Sequence, residues 1–539
     1  MEKYRKLIHP TTASDILSII TRHHRLQGSN GLWDAVKDLK EILDGYGIPS
    51  KIYRIEPGAS KPHLTVPISW DPLEASLEIK INGKTIGELS LDDHPTLLSA
   101  HSPGGEGCAE LEICSEEKCG GEAVLATGYL YDVYMRTDAR LIIYYTRNRD
   151  PGHVPYTGLF LKPGDPEKAV VMNIPYSLAT RIISKKIENP AAKIEVCWKA
   201  RVHRHGAGIP ILVSCTGDDP GIVYISHICH PKPGAHDNAS GLVANMLIAM
   251  ALSEGKGHSH CNIWVPEYTG TVFLWDKLPW IPRGVINLDM VGSKQWITGS
   301  TLTLVNPPRL IAWRLTPILW LSLYTVLNQS ASFPGFSTTA VKWSISPYGM
   351  GSDHDVFTLW GYEAPMLNEW PSKYYHTDGD KPDTISSENL VRTALAALVA
   401  GEQYMLVGDK EIEEATRNYE SHVRSIYYAE ARKTGYPLTR LQKNLVKKPI
   451  ITEPPEKPLV EGIMTGRKIY EVLGREKYLQ LRKIRGAIDA LSVYLPLAEK
   501  LWYRKALEAY TAERMLRWTR KERKQVLDAW ETIRNIIKM

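Results

Sequence analysis

Short apolar runs alternate with a helical segment between residues 211 and 290, and this pattern constrains the fold more than any other feature of the chain. Residues 222–225, 261–265 and 284–288 are largely apolar, and residues 242–252 have the composition of a buried helix. Apolar strands that alternate with helices are typical of a parallel sheet with helices on both faces. We therefore predict an α/β fold with a mainly parallel sheet flanked by helices.

Other segments surround this α/β region. The sequence predicts helices over residues 14–20 and 32–43, and a hairpin at Asn82 and Gly83 between two alternating runs. Residues beyond 388 are mostly helical in pattern. The predicted division is N-terminal helices of the main domain (1–55), a β-rich insert (56–170), the main α/β domain (171–415), a linker (416–460) and a basic helical C-terminal domain (461–539).

The C-terminal part of the chain is basic. Residues 431–539 contain 25 Lys and Arg against 12 Asp and Glu, although the net charge of all 539 residues is only +5. A basic segment can bind nucleic acid, an acidic partner or an acidic lipid surface. We interpret this one as a solvated helical appendage, and nucleic acid as its partner stays open.

The composition is that of a folded protein, since 43% of the residues are hydrophobic and 23% are charged. Seven cysteines are too few for a disulfide scaffold, so we predict reduced thiols, a cytoplasmic location and at least one unpaired cysteine. The N-terminus lacks the pattern of a signal peptide. The apolar residues 310–327 include Arg314 and Pro317, which favours a buried helix over a membrane span.

Side chains suited to metal binding follow the apolar runs. His227 and Asp237 come after the first run, Glu267 after the second and Asp289 after the third, and His376 comes later in the chain. Open parallel sheets place their functional sites where the carboxyl ends of the strands meet. Imidazoles and carboxylates together suit zinc, and a dication offsets the repulsion between carboxylates. The sequence therefore predicts a zinc site at this edge of the sheet.

These motifs, in this order, resemble those of the zinc exopeptidases typified by bacterial leucyl aminopeptidase and glutamate carboxypeptidase (clan MH). The matching segments are residues 234–241, 287–292 and 375–377, within a resemblance that covers about residues 16–406. The β-rich insert resembles a protease-associated domain. The Cys-His-Pro sequence at residues 229–231 resembles an uncharacterised aminopeptidase-like branch of the same group.

The resemblance implies a metallo-aminopeptidase that hydrolyses short peptides through a metal-activated water, with one or two zinc ions per chain. It implies that His227, Asp237 and Asp289 hold one zinc. Asp237 would bridge to a second zinc held by His376 and a glutamate. Residues 171–415 would then form the catalytic domain.

The chain departs from the family pattern at two places. Cys229 stands where the family has an Asp that orients the first His, and the neighbouring His230 is a rival of His227 as ligand. The family's Glu-Glu pair is reduced to Glu267, which would be either the general base or a metal ligand. If Glu267 is a ligand, the base must come from elsewhere, such as Glu369 or Asp353.

Two alternatives keep the same scaffold. One is a single-zinc acyltransferase that resembles glutaminyl cyclases, and the other is a catalytically weakened binding protein. For His236, His354 and Asp380 we expect supporting or structural roles. The sequence leaves open a homo-oligomer and predicts no membrane partner.

Overall fold

Two large sheets organise the protein. The computed structural model describes residues 2–114, 119–328, 330–331, 337–445 and 448–537. One sheet has eight strands and the other has seven. The eight-stranded sheet is the α/β core that the sequence predicts, and the seven-stranded sheet contains the β-rich insert.

The eight-stranded sheet is mixed rather than purely parallel. Its four central strands run parallel to one another, whereas the two strands at one edge pair antiparallel and Thr301–Val305 pairs antiparallel with Met366–Trp370 toward the other edge. In spatial order the strands are Lys51–Ile55, Ile209–Thr216, His260–Val265, Ile222–His227, Gly284–Asp289, Met366–Trp370, Thr301–Val305 and Trp343–Ser346.

The two faces of this sheet are buried under different helices. Along strand Ile222–His227, Ile222 and Tyr224 pack into one core, and Val223 and Ile225 pack into the other, because successive side chains of a strand point to opposite faces. The helices that form the first core are Pro10–Ile20, Asn30–Gly45, Gly241–Gly255, Leu315–Leu327, Ser387–Leu406 and Asp409–Thr434.

The second face is covered by helix His354–Trp360 and by the C-terminal helices. The interpretation of the basic segment as a solvated appendage is therefore wrong. Helices Gly466–Leu473 and Arg520–Ile537 are amphipathic, Ala490–Tyr494 is buried throughout, and their apolar side chains fill the core beneath the sheet. The C-terminal helices are Gly466–Leu473, Arg475–Arg482, Ala487–Asp489, Ala490–Tyr494, Leu495–Lys500, Ala506–Glu513 and Arg520–Ile537.

The predicted linker, residues 416–460, contains regular structure. Helix Asp409–Thr434 runs into it, and helix Leu438–Leu445 follows after Gly435, whose φ of 67° ends the first helix in a left-handed turn. Only the later, proline-rich part of this range has the irregular structure of a connector.

The seven-stranded sheet extends further along the chain than the predicted insert. The predicted hairpin is present, with strands Ser69–Ile81 and Lys84–Ser90 joined at Asn82 and Gly83. Strand Ile194–His205 pairs along its whole length with Ser69–Ile81, so the sheet includes residues beyond 170. Its spatial order is Lys84–Ser90, Ser69–Ile81, Ile194–His205, Gly105–Ile113, Ala123–Ala126, Leu141–Tyr144 and Val170–Asn173, with helices Leu130–Arg136 and Tyr176–Glu188.

Short elements complete the described fold. They are helices Glu2–Arg5 and Gln295–Thr298, the 3-10 turns Thr271–Phe273, Trp275–Lys277 and Pro382–Thr384, the π-helical turn Ala235–Ser240, and the strand pairs Ser60–Lys61 with Leu64–Thr65 and Ser330–Ala331 with Ser337–Thr338.

The prediction of reduced cysteines is wrong for six of the seven. Disulfides join Cys108 to Cys197, Cys114 to Cys119 and Cys215 to Cys261, and the remaining thiol, Cys229, is buried. Two of these pairs join residues that face each other on neighbouring antiparallel strands, a proximity that only strand pairing creates. Disulfides are rare in the cytosol of mesophiles, so they count against the predicted cytoplasmic location.

Residues 310–327 form part of the core. They contain helix Leu315–Leu327, which packs against Ser387–Leu406, and the predicted buried helix is thereby confirmed. Across the described ranges, no helix has both the length and the apolar character needed to cross a bilayer.

Candidate metal centre

The predicted site residues converge at the carboxyl ends of two neighbouring strands. His227 is the last residue of strand Ile222–His227, and Asp289 is the last residue of strand Gly284–Asp289. These strands are parallel neighbours, so both side chains lie at the same edge of the sheet. Asp237 lies in the turn that precedes helix Gly241–Gly255.

Asn238 and Gly241 hold the turn with Asp237 against the strand that carries Asp289. The Asn238 side chain accepts hydrogen bonds from the backbone N–H groups of Met290 (2.9 Å) and Gly241 (3.0 Å). A Cβ on residue 241 would collide with the carbonyl oxygen of Leu288, so only glycine permits this close approach. These contacts place the Asp237 carboxylate beside the strand end.

Three side chains form a first buried triad: His227, Asp237 and Asp289. The Nε2 atom of His227 lies 3.4 Å from Oδ1 of Asp237 and 3.5 Å from Oδ1 of Asp289. All three residues are buried. This is the set of residues that the resemblance implies for one zinc ion.

A second triad shares Asp237 with the first and adds His230 and His376. The Oδ2 atom of Asp237 lies 3.1 Å from Nε2 of His230 and 3.1 Å from Nε2 of His376. The two carboxylate oxygens of Asp237 therefore face different triads. His227 and His230, which the sequence analysis treats as rivals, both lie at the site, one in each triad.

The residues present fit zinc. Imidazole nitrogens and carboxylate oxygens are its usual ligands, and one carboxylate shared between two triads is what a pair of ions would need. The Oδ1 atom of Asp289 is buried and accepts no hydrogen bond from any described residue, although buried polar atoms are normally paired. A cation bound there would satisfy it.

The charges in the site depend on one another. Burial alone would raise the pKa of the Asp237 carboxyl, but His230 and His376 more than offset burial and hold it well below its usual range. Burial alone would lower the pKa of His227. The negative charge of Asp289 outweighs that effect, so the pKa of His227 lies well above its usual value. Asp237 is thus held as an anion, the form in which a carboxylate binds a metal.

Two further carboxylates near the site accept hydrogen bonds from backbone N–H groups and hydroxyl groups. Asp380 accepts hydrogen bonds from the backbone N–H groups of His236 (2.8 Å) and Asp237 (2.9 Å), and so holds the turn that carries the shared ligand. Glu369 is fully buried and accepts from four donors: the N–H groups of Gly292 and Ser293 and the hydroxyls of Ser293 and Ser300. Glu369 therefore acts as a support for the segment that follows Asp289.

The histidines for which supporting roles are expected make local contacts. His236 is buried, with Nδ1 3.1 Å from the Ser372 hydroxyl and Nε2 3.7 Å from Glu369. His354 Nε2 lies 2.9 Å from the carbonyl oxygen of Gly349. Neither histidine belongs to a triad among the described residues.

Glu267 lies near the triads but belongs to neither of them within the described chain. Its backbone N–H donates to Cys229 Sγ at 3.0 Å, and its carbonyl oxygen accepts from the side-chain amide of Gln27 at 3.1 Å. Burial raises the pKa of the Glu267 carboxyl well above its usual value. Cys229 therefore links the loop of the histidine ligands to the loop of Glu267.

The other candidate base, Asp353, has partners for one of its two carboxylate oxygens: Oδ1 is hydrogen-bonded, whereas Oδ2 is buried and has no hydrogen-bond partner among the described residues. Oδ1 accepts hydrogen bonds from the backbone N–H of Tyr268 at 2.9 Å and from the Thr271 hydroxyl. These contacts place Asp353 as a support for the residues that follow Glu267. Burial raises its pKa to about 6.

Arg25 supports the metal-site loops and is a residue whose role the sequence analysis misses. It is 0% exposed, and its own carbonyl oxygen accepts a hydrogen bond from the His230 N–H at 2.9 Å. A buried guanidinium cannot be told from a surface one by sequence alone. Its guanidinium donates to five carbonyl oxygens: Ile228 (3.0 Å), Ile20 (2.8 Å), His23 (3.3 Å), Pro233 (3.2 Å) and Gly234 (2.9 Å).

We expect Arg25→Lys to loosen the site even though it keeps the charge. A lysine cannot reach five carbonyls, and each buried carbonyl left unpaired costs about 1–3 kcal/mol. The free energy of unfolding should fall by about 3 kcal/mol or more, and zinc affinity by about 10–100-fold, because loop residues that orient ligands have effects of that size. Denaturant titration and competition with a chelator measure the two quantities.

Arg22→Lys is the matched control, because Arg22 is exposed and lies three positions earlier in the chain. Both quantities should stay unchanged in that variant. Wild-type zinc affinity in Arg25→Lys would contradict the assigned role.

The site opens into a cavity of about 760 Å³. Glu267, His230 and His376 line one part of it. Tyr156, which follows the strands of the insert, also lines it, and its ring lies 4.9 Å from the His230 ring and 5.2 Å from the His376 ring. Further parts of the wall come from residues 60–67, 128–131 and 157–162 of the insert and from residues 463–482 of the C-terminal region.

Comparisons with known proteins identify the fold. No protein-family model matches the sequence, and no curated protein matches it at a significant level. One similar solved structure is a putative peptidase from Clostridium acetobutylicum, with 14% identity and a TM-score of 0.53; the match covers 75% of this chain and 81% of that one. Another is a peptidase M28 precursor from Shewanella amazonensis SB2B, with 13% identity and a TM-score of 0.51; the match covers 75% of this chain and 95% of that one. A third is BSAP, a zinc aminopeptidase from Bacillus subtilis, with 17% identity and a TM-score of 0.50; the match covers 73% of this chain and 94% of that one.

At these identities the likeness establishes architecture. About three quarters of the chain follows the fold of the three proteins, which confirms the predicted fold class. The aminopeptidase-like branch and the protease-associated character of the insert remain predictions. The described chain thus has the α/β fold of zinc aminopeptidases and M28 peptidases, extended by a C-terminal helical region.

Proposed function

We propose that this protein is a zinc-dependent exopeptidase, and specifically an aminopeptidase that hydrolyses short peptides. The observation that carries the proposal is Asp237, whose two carboxylate oxygens each face a separate triad of potential zinc ligands. When bound, a pair of zinc ions supplies an activated water molecule and polarises the scissile carbonyl.

Each triad would hold one ion. His227, Asp237 and Asp289 would hold the first, and Asp237, His230 and His376 would hold the second. The second set differs from the one that the resemblance implies, because His230 takes the place of the glutamate. Glu267 is thereby free for another role.

Glu267 is the proposed general base. It lines the same cavity as His230 and His376, and it lies outside both described triads. Its carboxylate would take a proton from the attacking water and deliver it to the nitrogen of the leaving amine. Of the rival carboxylates, Glu369 is held by hydrogen bonds to both of its oxygens and Asp353 by hydrogen bonds to Oδ1. Within the described chain neither of the two lines the cavity.

The enclosure of the site supports the preference for short peptides. The cavity is walled by the main domain, the insert and the C-terminal region, and its volume of about 760 Å³ lies within the range of small-molecule sites, about 300–1,000 Å³. A folded polypeptide cannot enter such a space, whereas a peptide end can. An exopeptidase needs that restriction.

The test combines metal analysis with two peptides. We expect about two zinc ions per chain in protein purified without chelators, and hydrolysis of trialanine but not of its N-acetylated form. Cleavage of the acetylated peptide would contradict aminopeptidase action. One zinc per chain, with ammonia release from an N-terminal glutaminyl peptide, would favour the cyclase alternative, and no zinc at all would favour a binding protein.

We expect Glu267→Gln to lower kcat by about 10²–10⁴-fold, the usual contribution of a general base. Because Glu267 lies outside the triads, the variant should keep the wild-type zinc content. Steady-state kinetics and elemental analysis measure the two quantities. Glu461→Gln, at an exposed glutamate, is the control and should match wild type, and loss of a zinc ion from Glu267→Gln would show that Glu267 is a ligand.

A further inference from the structure

The cavity wall carries an excess of positive charge. Among the described residues that line the cavity there are two carboxylates, Glu267 and Glu471, against five basic side chains. Glu267 lies at the metal-site end, so the basic groups are balanced only by Glu471 from within the cavity. The five basic residues are Lys61, Lys162, Arg467, Lys468 and Arg482.

Two of the basic groups are neutralised. Arg467 pairs with Asp165 at 2.6 Å and with Glu471 at 2.9 Å. Lys162 also pairs with Glu471, at 3.1 Å. These contacts hold helix Gly466–Leu473 against the insert. The carboxylates of Asp165 and Glu471 compensate the positive charges of Arg467 and Lys162.

Lys61, Lys468 and Arg482 are different, because within the described chain none of the three has a carboxylate at ion-pair distance. Lys61 Nζ lies 5.7 Å from the centroid of the Phe273 ring. Of these three cations, Lys468 and Arg482 are the two that helices of the C-terminal region contribute. The Arg482 guanidinium lies over the ring of Tyr129, 5.0 Å from its centroid. Burial and then the charge of Lys468 lower the pKa of His63, another residue of the cavity wall. The far part of the cavity therefore has a positive potential that the protein itself does not cancel.

We propose that Lys468 and Arg482 bind a carboxylate of the peptide, so that the enzyme selects short substrates with a negative charge beyond the scissile bond. The proposal rests on the proposed peptidase function and names its substrate class. Lys468 is half-buried and Arg482 is exposed, so both can reach an anion that enters the cavity, and unpaired cations that line a cleft attract anions. The carboxylate belongs either to an acidic side chain or to the C-terminus of the peptide.

The two sources are separated by four tripeptides. They are trialanine with a free C-terminus, trialanine amide, and two amides in which the third residue is glutamate or glutamine. Equilibrium binding is measured by calorimetry on zinc-loaded Glu267→Gln protein, in which cleavage is slow. We expect both peptides with a carboxylate to bind about tenfold more tightly than the neutral amides. A difference of this size in the dissociation constant corresponds to the free energy of one charge-assisted hydrogen bond.

Two variants test the assigned residues. In the same background, Arg482→Gln and Lys468→Gln should each remove most of the preference for the charged peptides and leave binding of the neutral amides unchanged. Lys477→Gln is the matched control, because Lys477 is exposed on the same helix as Arg482 and does not line the cavity. Thermal unfolding verifies that each variant is folded.

The outcomes separate this proposal from the proposed function. Equal affinity for charged and neutral peptides, or a preference that survives both variants, would overturn charge selection and leave the peptidase proposal intact. Absence of binding and of hydrolysis for all four peptides would overturn both. A preference for only one of the two charged peptides would support the proposal and identify which carboxylate is bound.

Discussion

Replacing Asp237 with asparagine is expected to abolish peptide hydrolysis and to reduce zinc retention at both triads. Asparagine keeps the shape but removes the charge, and Asp237 is the residue that the two triads share. We expect kcat/KM to fall by at least about a thousandfold, equivalent to about 4 kcal/mol of transition-state stabilisation. Zinc per chain by elemental analysis and peptide kinetics measure the result.

The control for this variant is Asp71→Asn. Asp71 is a half-buried carboxylate that, like Asp237, lies near an imidazole, 3.1 Å from His205 Nε2, but it is part of strand Ser69–Ile81 and belongs to neither triad of the described residues. It should keep wild-type zinc content and activity. Wild-type zinc content and activity in Asp237→Asn would contradict the metal centre, and loss of one zinc only would limit Asp237 to a single ion.

Deletion of residues 462–539 is expected to prevent folding of the whole protein. The deletion would uncover the part of the sheet face that the C-terminal helices cover, together with the side of helix His354–Trp360 that packs against Ala490–Tyr494 and Leu495–Lys500. Each large apolar side chain exposed costs about 1.5–3 kcal/mol, and a whole domain has only about 5–15 kcal/mol of stability. Soluble yield and circular dichroism of the truncated protein measure the result, and a folded, fully active product would contradict it.

A matched pair in helix Arg520–Ile537 tests the same packing without deletion. Ile533 is 0% exposed and Ile536 is 60% exposed. Ile533→Ala should lower the free energy of unfolding by about 2–5 kcal/mol, whereas Ile536→Ala should change it by less than about 0.5 kcal/mol. Equal effects would show that the helix does not belong to the cooperative core.

The fold class and the ligand types follow from local patterns. Apolar runs that alternate with a helical segment predict the α/β layers, because burial on both faces leaves no polar positions in a strand. The prediction that His227, Asp237 and Asp289 meet at one sheet edge depends only on strand order and direction. Asn82 and Gly83 likewise predict the hairpin, because the turn requires residues that tolerate positive φ.

Other features depend on contacts between residues far apart in the chain. Cys108 and Cys197 become partners only when their strands pair in one register. The sequence predicts a solvated appendage for the basic helices because it shows their charge directly. It does not show the sheet face that their apolar sides cover. The far wall of the cavity, with Tyr129 from the insert and Arg482 from the C-terminal region, combines segments that no local pattern connects.

The sequence by itself determined the α/β architecture, the chemical types of the ligands and the shortage of a second glutamate. Only the tertiary structure decided that His227 and His230 lie in different triads that share Asp237, and that Arg25 holds their loops. The physical reason is that periodicity and composition record how each segment is buried. The distances between side chains from separate loops depend on how those segments pack together.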